Sequence, residues 1–361
     1  MRRQNKIKAK YALLGDNLDI FQNIELELDS NNKIIEITEL KQDLKENTIL
    51  FPGFFNSHIH SADIGLRGVK ANNLEELVGP NSIKSNYLQN LTKEQLMINI
   101  KKSYNEAKSN YIFGWLDFRE SDGIDLHEYP YKNYYIPMCR PTKTTINQIP
   151  NFAHIGFRDV IVLEEEELIQ VAKDGKMMNK NIQIHASEDY NLREKWINEY
   201  SESDIIWSIK NLNVDSIVHL THADENDIMV MKKNKISAIL CISSNIFTKV
   251  GIPPLKLIMD EGINIAIGTD NAMINELNLI QEMRLINRQI NLPLKVLKMA
   301  TINGAKVGKV NWGIKIGCSN FIKINFQNYN NKDIIYDYII NSEWYRRKNS
   351  IWQPRDYGME I

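Results

Sequence analysis

Two histidines at the end of an apolar strand are the first residues here with the chemistry of a metal site. His58 and His60 stand two apart in the segment PGFFNSHIH at residues 52–60. Residues i and i+2 of a β-strand point to the same side, so both imidazoles can reach one ion. Imidazole nitrogen suits zinc or iron. Two surface histidines are the alternative interpretation, and the position at the end of a strand favours the metal site.

Three further strand ends carry a histidine or an aspartate. His185 ends an apolar run, and Glu188 follows three residues later, a spacing that suits one ligand and one acid or base. His219 and His222 follow the next run three apart and point to different sides, so we expect His219 at the site and His222 in packing. Asp270 ends a later apolar run, where a buried carboxylate needs a partner. A core histidine or a helix N-cap is the alternative at each position, but it does not explain why every element falls at a strand end.

The elements that must position these residues alternate along the chain between β-type runs and helical stretches. Such alternation predicts a parallel sheet with helical crossovers, and eight runs match a (β/α)8 TIM barrel of class α/β. A doubly wound open sheet is the alternative. The runs lie at 48–51, 111–118, 134–139, 156–163, 181–185, 215–220, 236–242 and 263–269, and the clearest helical stretches lie at 93–108, 164–173, 225–233 and 254–261.

The two ends of the chain depart from this alternation. Residues 7–50 and 313–361 contain short β-type runs, including 321–326 and 334–340. Chain termini commonly lie close together. We therefore expect a small β-sandwich domain from residues 1–50 plus 312–361, beside a barrel of residues 51–311.

Composition excludes several classes of protein. The 361 residues carry 44 Lys and Arg against 45 Asp and Glu, a net charge of -1, which argues against nucleic acid or anionic membrane as a partner. No apolar run approaches the ~18 residues of a membrane span, and no apolar segment follows the basic N-terminus. The three cysteines form no pair typical of a disulfide framework. We expect a cytoplasmic protein with a small-molecule substrate, and homo-oligomer formation stays open.

Taken together, these segments resemble the metal-dependent amidohydrolase superfamily. The segment PGFFNSHIH is similar to that family's PGxxNxHxH, and CISSN at 241–245 is similar to CPxSN, with Ile242 in place of proline. GTDNAM at 268–273 and ATINGA at 300–305 resemble two further family segments. The resemblance covers about residues 49–317. It is closest to the branch of guanine, cytosine and adenosylhomocysteine deaminases and chlorohydrolases, which has the His-x-x-Glu spacing.

The resemblance implies roles for individual residues. The implied metal ligands are His58, His60, His185 and Asp270, with Glu188 as the acid and base that moves protons. His219 matches the histidine that contacts water or substrate in this branch. Relatives with two metals need a lysine at the end of strand four, and residues 157–163 read FRDVIVL. We therefore expect one divalent transition metal per chain, zinc first and iron as the alternative.

The metal implies the reaction. A bound divalent ion lowers the pKa of its water to about 7, so that water attacks a C–N carbon at neutral pH. We expect Asp270 to accept the proton of the water, His219 to stabilise developing charge and Glu188 to protonate the leaving nitrogen. Hydrolytic deamination of a small heterocyclic amine is the first hypothesis. A cyclic amidase of the imidazolonepropionase type is the second, and a metal-free scaffold, disfavoured because every ligand position is filled, is the third.

Substrate contacts are predicted from positions near the expected mouth of the barrel. Arg140 could clamp a carboxylate or phosphate, with a salt bridge at the rim as the alternative. The full set of candidates is Arg67, Glu120, Arg140, His154 and Asn271.

Other conspicuous residues are expected to be structural. Trp115, Cys139 and Cys241 are predicted in the core. Glu282 and Arg284 are predicted on a solvated helix face.

Overall fold

The computed structural model describes residues 5–70, 74–79, 81–119, 135–142, 145–161, 163–326, 332–344 and 350–352. The strands in chain order are β1 (Asn5–Leu14), β2 (Asp19–Leu28), β3 (Ile34–Glu39), β4 (Thr48–Pro52), β5 (Phe54–His60), β6 (Ile112–Arg119), β7 (Tyr135–Cys139), β8 (His154–Phe157), β9 (Asn181–Ala186), β10 (Ser216–His219), β11 (Ser237–Leu240), β12 (Ile265–Ile267), β13 (Asp270–Asn271), β14 (Phe321–Asn325) and β15 (Ser350–Trp352). The α-helices are α1 (Leu74–Val78), α2 (Ile83–Gln89), α3 (Lys93–Ser109), α4 (Glu165–Met177), α5 (Tyr190–Tyr200), α6 (Asp204–Leu212), α7 (Glu225–Lys233), α8 (Ile242–Thr248), α9 (Leu255–Asp260), α10 (Leu279–Ile290), α11 (Pro293–Met299), α12 (Ile302–Val307) and α13 (Ile335–Asn341).

A curled parallel sheet forms the larger part of the molecule. Strands β5 to β12 pair in chain order, each parallel to the next, and β13 returns to pair with β5. The short segment from β12 to β13 therefore pairs with β11 on one side and with β5 on the other. The strand order never reverses, whereas a doubly wound sheet reverses its order at a switch point. This α/β arrangement is consistent with the predicted (β/α)8 barrel.

Alternating side chains give the curled sheet two different faces. Ile217, Ala238 and Ile265 pack in the large cluster that includes the helices, while the next residues along their strands belong to a smaller inner cluster. The inner cluster includes Val218, Ile239 and Ala266, with Phe118, Met138 and Trp312. Polar side chains lie at or near the carboxyl ends of these strands, among them His185 and His219.

The two chain ends share a second sheet. Its strand order is β15-β14-β4-β1-β2-β3, with β4 parallel to β1 and antiparallel to β14. Both chain ends thus contribute strands to one sheet, while the division into a small domain and a barrel stays a prediction. The described strands at these ends form this one sheet, and the second layer of a β-sandwich stays a prediction.

Two strand predictions are wrong and one is displaced. Residues 48–51, predicted as the first barrel strand, lie in β4 of the second sheet, and the first strand of the curled sheet is β5. One apolar block runs through both strands, and only Gly53 separates them. Residues 334–340, predicted as β-type, form α13, whose buried residues Ile335 and Ile339 have helical spacing. The predicted run 156–163 begins at His154 and ends at Phe157.

Helices are bounded where the sequence places capping residues. Helix α7 begins and ends at the predicted residues, and Asp224 caps it by accepting the backbone N–H of Asp227 at 3.0 Å. A capping box of Thr92 and Gln95 starts α3. In the described part of the chain no helix combines the length and the apolar character that crossing a membrane requires.

Candidate active site

Four side chains converge at the carboxyl end of the curled sheet. His58 and His60 come from β5, His185 from β9 and Asp270 from β13, and all four are buried. One potential ligand atom of each lies within 4.8 Å of the others. The Nε2 atom of His58 lies 3.0 Å from Nε2 of His60 and 3.0 Å from Nε2 of His185. These four residues are those that the sequence proposes as metal ligands.

The outer nitrogens of two imidazoles determine where their lone pairs point. Nδ1 of His58 lies 2.6 Å from Oε1 of Gln183, whose amide donates to the carbonyl of Ser57. Nδ1 of His185 lies 3.2 Å from the carbonyl oxygen of Phe157. Because these oxygens accept, both Nδ1 atoms carry the proton and both Nε2 lone pairs point at the shared centre. Burial also lowers the pKa of His58 to about 4 and that of His185 well below its usual value, so both rings are neutral.

This donor set fits a divalent transition metal. Two lone pairs that face each other at 3.0 Å repel unless a cation lies between them. Oδ1 of Asp270, 3.3 Å from Nε2 of His60, is buried and has no hydrogen-bond donor among the described residues. Three imidazole nitrogens and one carboxylate oxygen are ligands that zinc and iron accept.

The contact between β5 and the last segment of the sheet explains two of the family-like motifs. Nδ2 of Asn56 donates to Oγ1 of Thr269 at 2.7 Å, and the backbone N–H of Thr269 donates to Oδ1 of Asn56 at 3.1 Å. A Cβ atom at Gly268 would lie 2.8 Å from the carbonyl oxygen of His58, so only glycine fits there. These contacts join the strand that carries His58 to the segment that carries Asp270.

A second pair of polar side chains stands beside the four. Nε2 of His219 lies 3.4 Å from Oε2 of Glu188. Nδ1 of His219 lies 2.9 Å from Oδ1 of Asn245, whose amide donates to Oγ1 of Thr221, so this Nδ1 carries the proton and Nε2 faces Glu188. Burial raises the pKa of Glu188, and the neighbouring His219 opposes the rise. The side chain of Glu188 is still 29% exposed, toward the pocket.

Three residues at these strand ends have a strained backbone. Ser187, His219 and Asp270 have φ angles of 50°, 74° and 58° in the left-handed region, although none is glycine. Such conformations cost on the order of 1–3 kcal/mol each and persist where the surroundings hold them. His222, by contrast, lies outside the site with its ring against Tyr190, in the packing role predicted for it.

A cavity of about 560 Å³ opens onto the converging side chains. Asn271 lines it, as predicted for a substrate contact, together with two residues that the sequence did not single out. Nζ of Lys84 lies 2.5 Å from Oδ1 of Asn271 and 3.3 Å from Nδ1 of His60. Arg158 stands directly after β8, and its Nε donates to Oδ2 of Asp159 at 2.7 Å. A fourth strand predicted to end at Phe157 would have placed Arg158 at its carboxyl end and so among the site candidates. No sequence motif indicated Lys84.

Other substrate candidates lie away from the cavity. Arg67 donates to the carbonyls of Ala272 at 2.8 Å and Asn275 at 2.9 Å and binds Glu106, so it holds the loop after β13. Its expected role in substrate contact is therefore corrected to a structural one. His154 begins β8 and so lies at the opposite end of the sheet from His185, which also corrects the prediction.

Of the remaining candidates, His154 and Arg140 have no contact with the cavity that the structure describes. Burial lowers the pKa of His154 to about 4; the nearby charge of Lys309 lowers it further, and that of Asp215 opposes the change. Arg140 is half-buried after β7 and does not line the cavity. Glu120 lies outside the described residues.

The segment CISSN supports both halves of the site. The hydroxyl of Ser244 donates to Oδ2 of Asp270, while Asn245 orients His219. The backbone N–H of Ser243 donates to Glu282 at 3.1 Å. Glu282, expected on a solvated face, is buried, and burial raises its pKa to about 7. Helix α10 thus directs Glu282 toward the site, whereas the sequence predicted this residue on the solvent-exposed face of the helix. Arg284, also expected in solvent, donates to the carbonyl of Ile340 at 2.9 Å.

Comparison with known proteins identifies the family. The sequence profile of the Amidohydrolase family matches residues 145–319. An uncharacterized protein from Methanocaldococcus jannaschii is 30% identical over 281 residues, which cover 73% of this chain and 74% of that protein. This chain belongs to the amidohydrolase family. The resemblance noted in the sequence is confirmed, and the protein is a hydrolase.

Two further proteins resemble this amidohydrolase. A 5-methylthioadenosine/S-adenosylhomocysteine deaminase from Thermoanaerobacter pseudethanolicus is 31% identical over 166 residues, 42% of this chain and 37% of that enzyme. The crystal structure of an adenosine deaminase from Xanthomonas campestris with bound zinc has a TM-score of 0.77 at 15% identity, and the match covers 96% of this chain and 90% of that one. The structural match concerns the fold. Family membership and deaminase relatives support metal-dependent hydrolysis of C–N bonds.

Proposed function

We propose that this amidohydrolase deaminates a small heterocyclic amine hydrolytically at a single zinc ion held by His58, His60, His185 and Asp270. The observation that carries the proposal is the convergence of three imidazole nitrogens and Oδ1 of Asp270 within 4.8 Å, at the inner end of a cavity that also contains the Glu188 and His219 pair. When bound, the metal supplies water activated at neutral pH.

The chain's own residues then move the protons. Asp270 would hold the metal through Oδ1 and accept the proton of the attacking water at Oδ2, the oxygen that the Ser244 hydroxyl also contacts. Glu188, whose pKa is raised by burial, gives its proton to the ring nitrogen. It then takes up the proton that Asp270 received from the water and passes it to the amine, which leaves as ammonia. Nε2 of His219 lies 3.4 Å from Glu188, and when it has taken up a second proton it donates to the oxygen on which negative charge develops.

Deamination is favoured over ring opening by the relatives. The similar enzyme from Thermoanaerobacter pseudethanolicus is a deaminase. A cavity of about 560 Å³ lies within the ~300–1,000 Å³ typical of small-molecule sites and suits a base, a pterin or a similar ring. Ring opening by a cyclic amidase uses the same catalytic parts and is the alternative.

A single metal is favoured by the fourth strand of the curled sheet. The strand β8 ends at Phe157, and Arg158 and Asp159 follow it in the position where relatives with two metals need a lysine. Elemental analysis of the purified protein is expected to give about one zinc per chain. Two metals per chain would contradict the assignment, and iron in place of zinc would correct it.

The activity is tested with a panel of ring substrates. Zinc-loaded protein is incubated with adenine, guanine, cytosine and pterins, and ammonia release and product mass are followed. Deamination exchanges an amino group for oxygen and releases ammonia. A product heavier by one water that keeps its nitrogen shows ring opening, and absence of turnover across the panel contradicts deamination of these rings. Protein carrying Glu188→Gln is the matched control, because it lacks the proposed proton carrier and keeps the shape.

The proposal includes the predicted architecture around the site. Residues 51–311 would form a closed (β/α)8 barrel, and residues 1–50 plus 312–361 a small domain with a sandwich layer. A cytoplasmic location would suit the three free, buried cysteines.

A further inference from the structure

A buried aspartate holds the residue that precedes Glu188. The backbone N–H of Ser187 donates to Oδ2 of Asp204 at 2.6 Å, and the Ser187 hydroxyl donates to Oδ1 at 2.5 Å. Asp204 begins α6 and is 3% exposed. Ser187 has a φ of 50°, in the left-handed region that a serine rarely adopts. Both bonds are therefore made to a residue whose backbone needs external support.

One arginine completes the cluster around Ser187. Nη1 of Arg193 donates to Oγ of Ser187 at 2.9 Å and lies 2.8 Å from Oδ2 of Asp227. Nη2 of the same side chain binds Asp224 at 2.7 Å. Arg193 is 4% exposed and Asp227 is fully buried. The hydroxyl of Ser187 thus donates to Asp204 and accepts from Arg193, which fixes its direction as well as its position.

Burying these charges is costly, so the cluster needs a reason beyond stability. Well-packed apolar residues often replace buried ion pairs without loss of stability, whereas a fixed geometry is something that only directed bonds supply. The geometry fixed by Asp204 is that of the peptide between Ala186 and Ser187 and of the Ser187 side chain. The next peptide is held separately, because the backbone N–H of His222 donates to the carbonyl of Ser187 at 3.0 Å. The side chain of Glu188 in turn reaches His219, 3.4 Å away, from a loop that no regular element includes.

We propose that Asp204 is a positioning residue for Glu188: by accepting both donors of Ser187, it holds the left-handed turn that aims the Glu188 carboxylate at the site. The inference rests on the proposed role of Glu188 in proton transfer. Asp204 acts through Ser187. Arg193 lies beside both residues and donates to the Ser187 hydroxyl, which keeps that hydroxyl directed at Asp204.

The sharpest perturbation is Asp204→Asn. The amide keeps the size of the carboxylate but turns one acceptor into a donor, so it can no longer accept both the N–H and the hydroxyl of Ser187. The turn relaxes, Glu188 moves away from His219, and its carboxylate becomes more hydrated. Asp224→Asn is the matched control, because Asp224 shares Arg193 but does not touch Ser187, is 59% exposed, and asparagine caps helices equally well.

The first measurement needs no substrate. Hydrogen–deuterium exchange of zinc-loaded protein is followed in a peptide that contains residues 186–189. Faster exchange in Asp204→Asn, with the Asp224→Asn control like the native protein, supports the inference. Equal exchange in all three proteins overturns it. Should Asp204→Asn fail to fold, Ser187→Ala removes only the hydroxyl bridge and is expected to change exchange in the same direction.

The second measurement separates positioning from general stability. On the ring that releases ammonia in the panel above, Asp204→Asn is expected to lower kcat ~10²-fold with KM and zinc content little changed, the scale of a misplacement of about 1 Å. The limb of the pH profile set by Glu188 shifts to lower pH. In a Glu188→Gln background, Asp204→Asn lowers kcat no further, since both changes act on one group.

The outcomes distinguish this inference from the proposed function. Additive losses in the double variant, or equal kcat in Asp204→Asn and Asp224→Asn, overturn the positioning role while deamination stands. Native turnover in Glu188→Gln contradicts the proposed function itself and, with it, any catalytic meaning of the Asp204 contact.

Discussion

Replacing Glu282 by glutamine is expected to stabilise the protein at alkaline pH and to leave it unchanged at acidic pH. Glu282 is 2% exposed, and its carboxylate accepts the backbone N–H of Ser243 through distances of 3.1 and 3.3 Å. Burial raises its pKa from the usual 4.5 to about 7, and the nearby Asp270 adds to the rise. The folded protein therefore binds the proton of Glu282 more tightly than the unfolded chain does.

The pH window follows from these two pKa values. Below pH 4.5 the carboxyl is protonated in both states and contributes no pH dependence. As the pH rises from 4.5 to about 7, the unfolded chain loses the proton first, so the free energy of unfolding falls. At about 1.4 kcal/mol per unit, the loss above pH 7 is on the order of 3 kcal/mol. Glutamine keeps an acceptor for Ser243 and never ionises, so it removes this loss.

The assay compares unfolding of native and Glu282→Gln protein, both zinc-loaded, by circular dichroism near pH 5 and pH 8.5. A stabilisation near pH 8.5 of about 3 kcal/mol, absent near pH 5, is expected; for large domains each kcal/mol moves Tm by ~2–4 °C. Asp260→Asn on the exposed end of α9 is a control for a change of net charge alone. Equal effects at both pH values, or destabilisation near pH 8.5, would show that the pKa of Glu282 is not raised in the folded state and would refute the reasoning.

Three further variants test the site. Glu188→Gln is expected to keep zinc but to lower kcat by ~10²–10⁴-fold, as loss of general acid–base catalysis does, whereas His58→Ala loses zinc in elemental analysis; loss of zinc from Glu188→Gln would make Glu188 a ligand. Gln183→Leu removes the acceptor of the His58 Nδ1 proton and is expected to weaken zinc affinity ~10–100-fold in a chelator competition, with Gln170→Leu on the exposed face of α4 as control. Arg67→Ala is expected to lower Tm with KM unchanged, because two bonds to the loop after β13 and one to Glu106 on α3 are lost; a raised KM would restore Arg67 as a substrate contact.

Sequence reasoning located the residues that strand periodicity makes visible. His58 and His60 lie two apart on one strand, and Asp270 ends an apolar run, so local patterns carry the information. The barrel-like order of strands follows from the alternation of β-type and helical runs in the same way. To predict that these side chains converge, we had to assume in addition that parallel strands end at a common edge. The structure has this arrangement.

The residues that sequence reasoning missed owe their role to packing between distant elements. Lys84 lies on α2 and reaches Asn271, 187 residues later, and no spacing along the chain reports such a contact. Glu282 has the polar character of a surface residue, but α10 turns it inward against Ser243. Arg67 and His154 have residue types that suit substrate binding, but their positions in the fold do not. Arg67 is bonded to Glu106 and to the loop after β13, and His154 lies at the amino end of β8.

The contacts that join the first and last strands of the curled sheet also build the site. Asn56 ties β5 to Thr269, Gly268 lets the chain pass against His58, and Ser244 holds the far oxygen of Asp270. A substitution at Asn56, Gly268 or Ser244 is therefore expected to move the ligand atoms of His58 and Asp270 relative to each other, even when neither ligand is altered. Because the Nε2 lone pairs of His58 and His185 face one another at 3.0 Å, a metal bound between them would relieve their repulsion. Metal affinity and closure of the sheet would then be coupled through the same few residues.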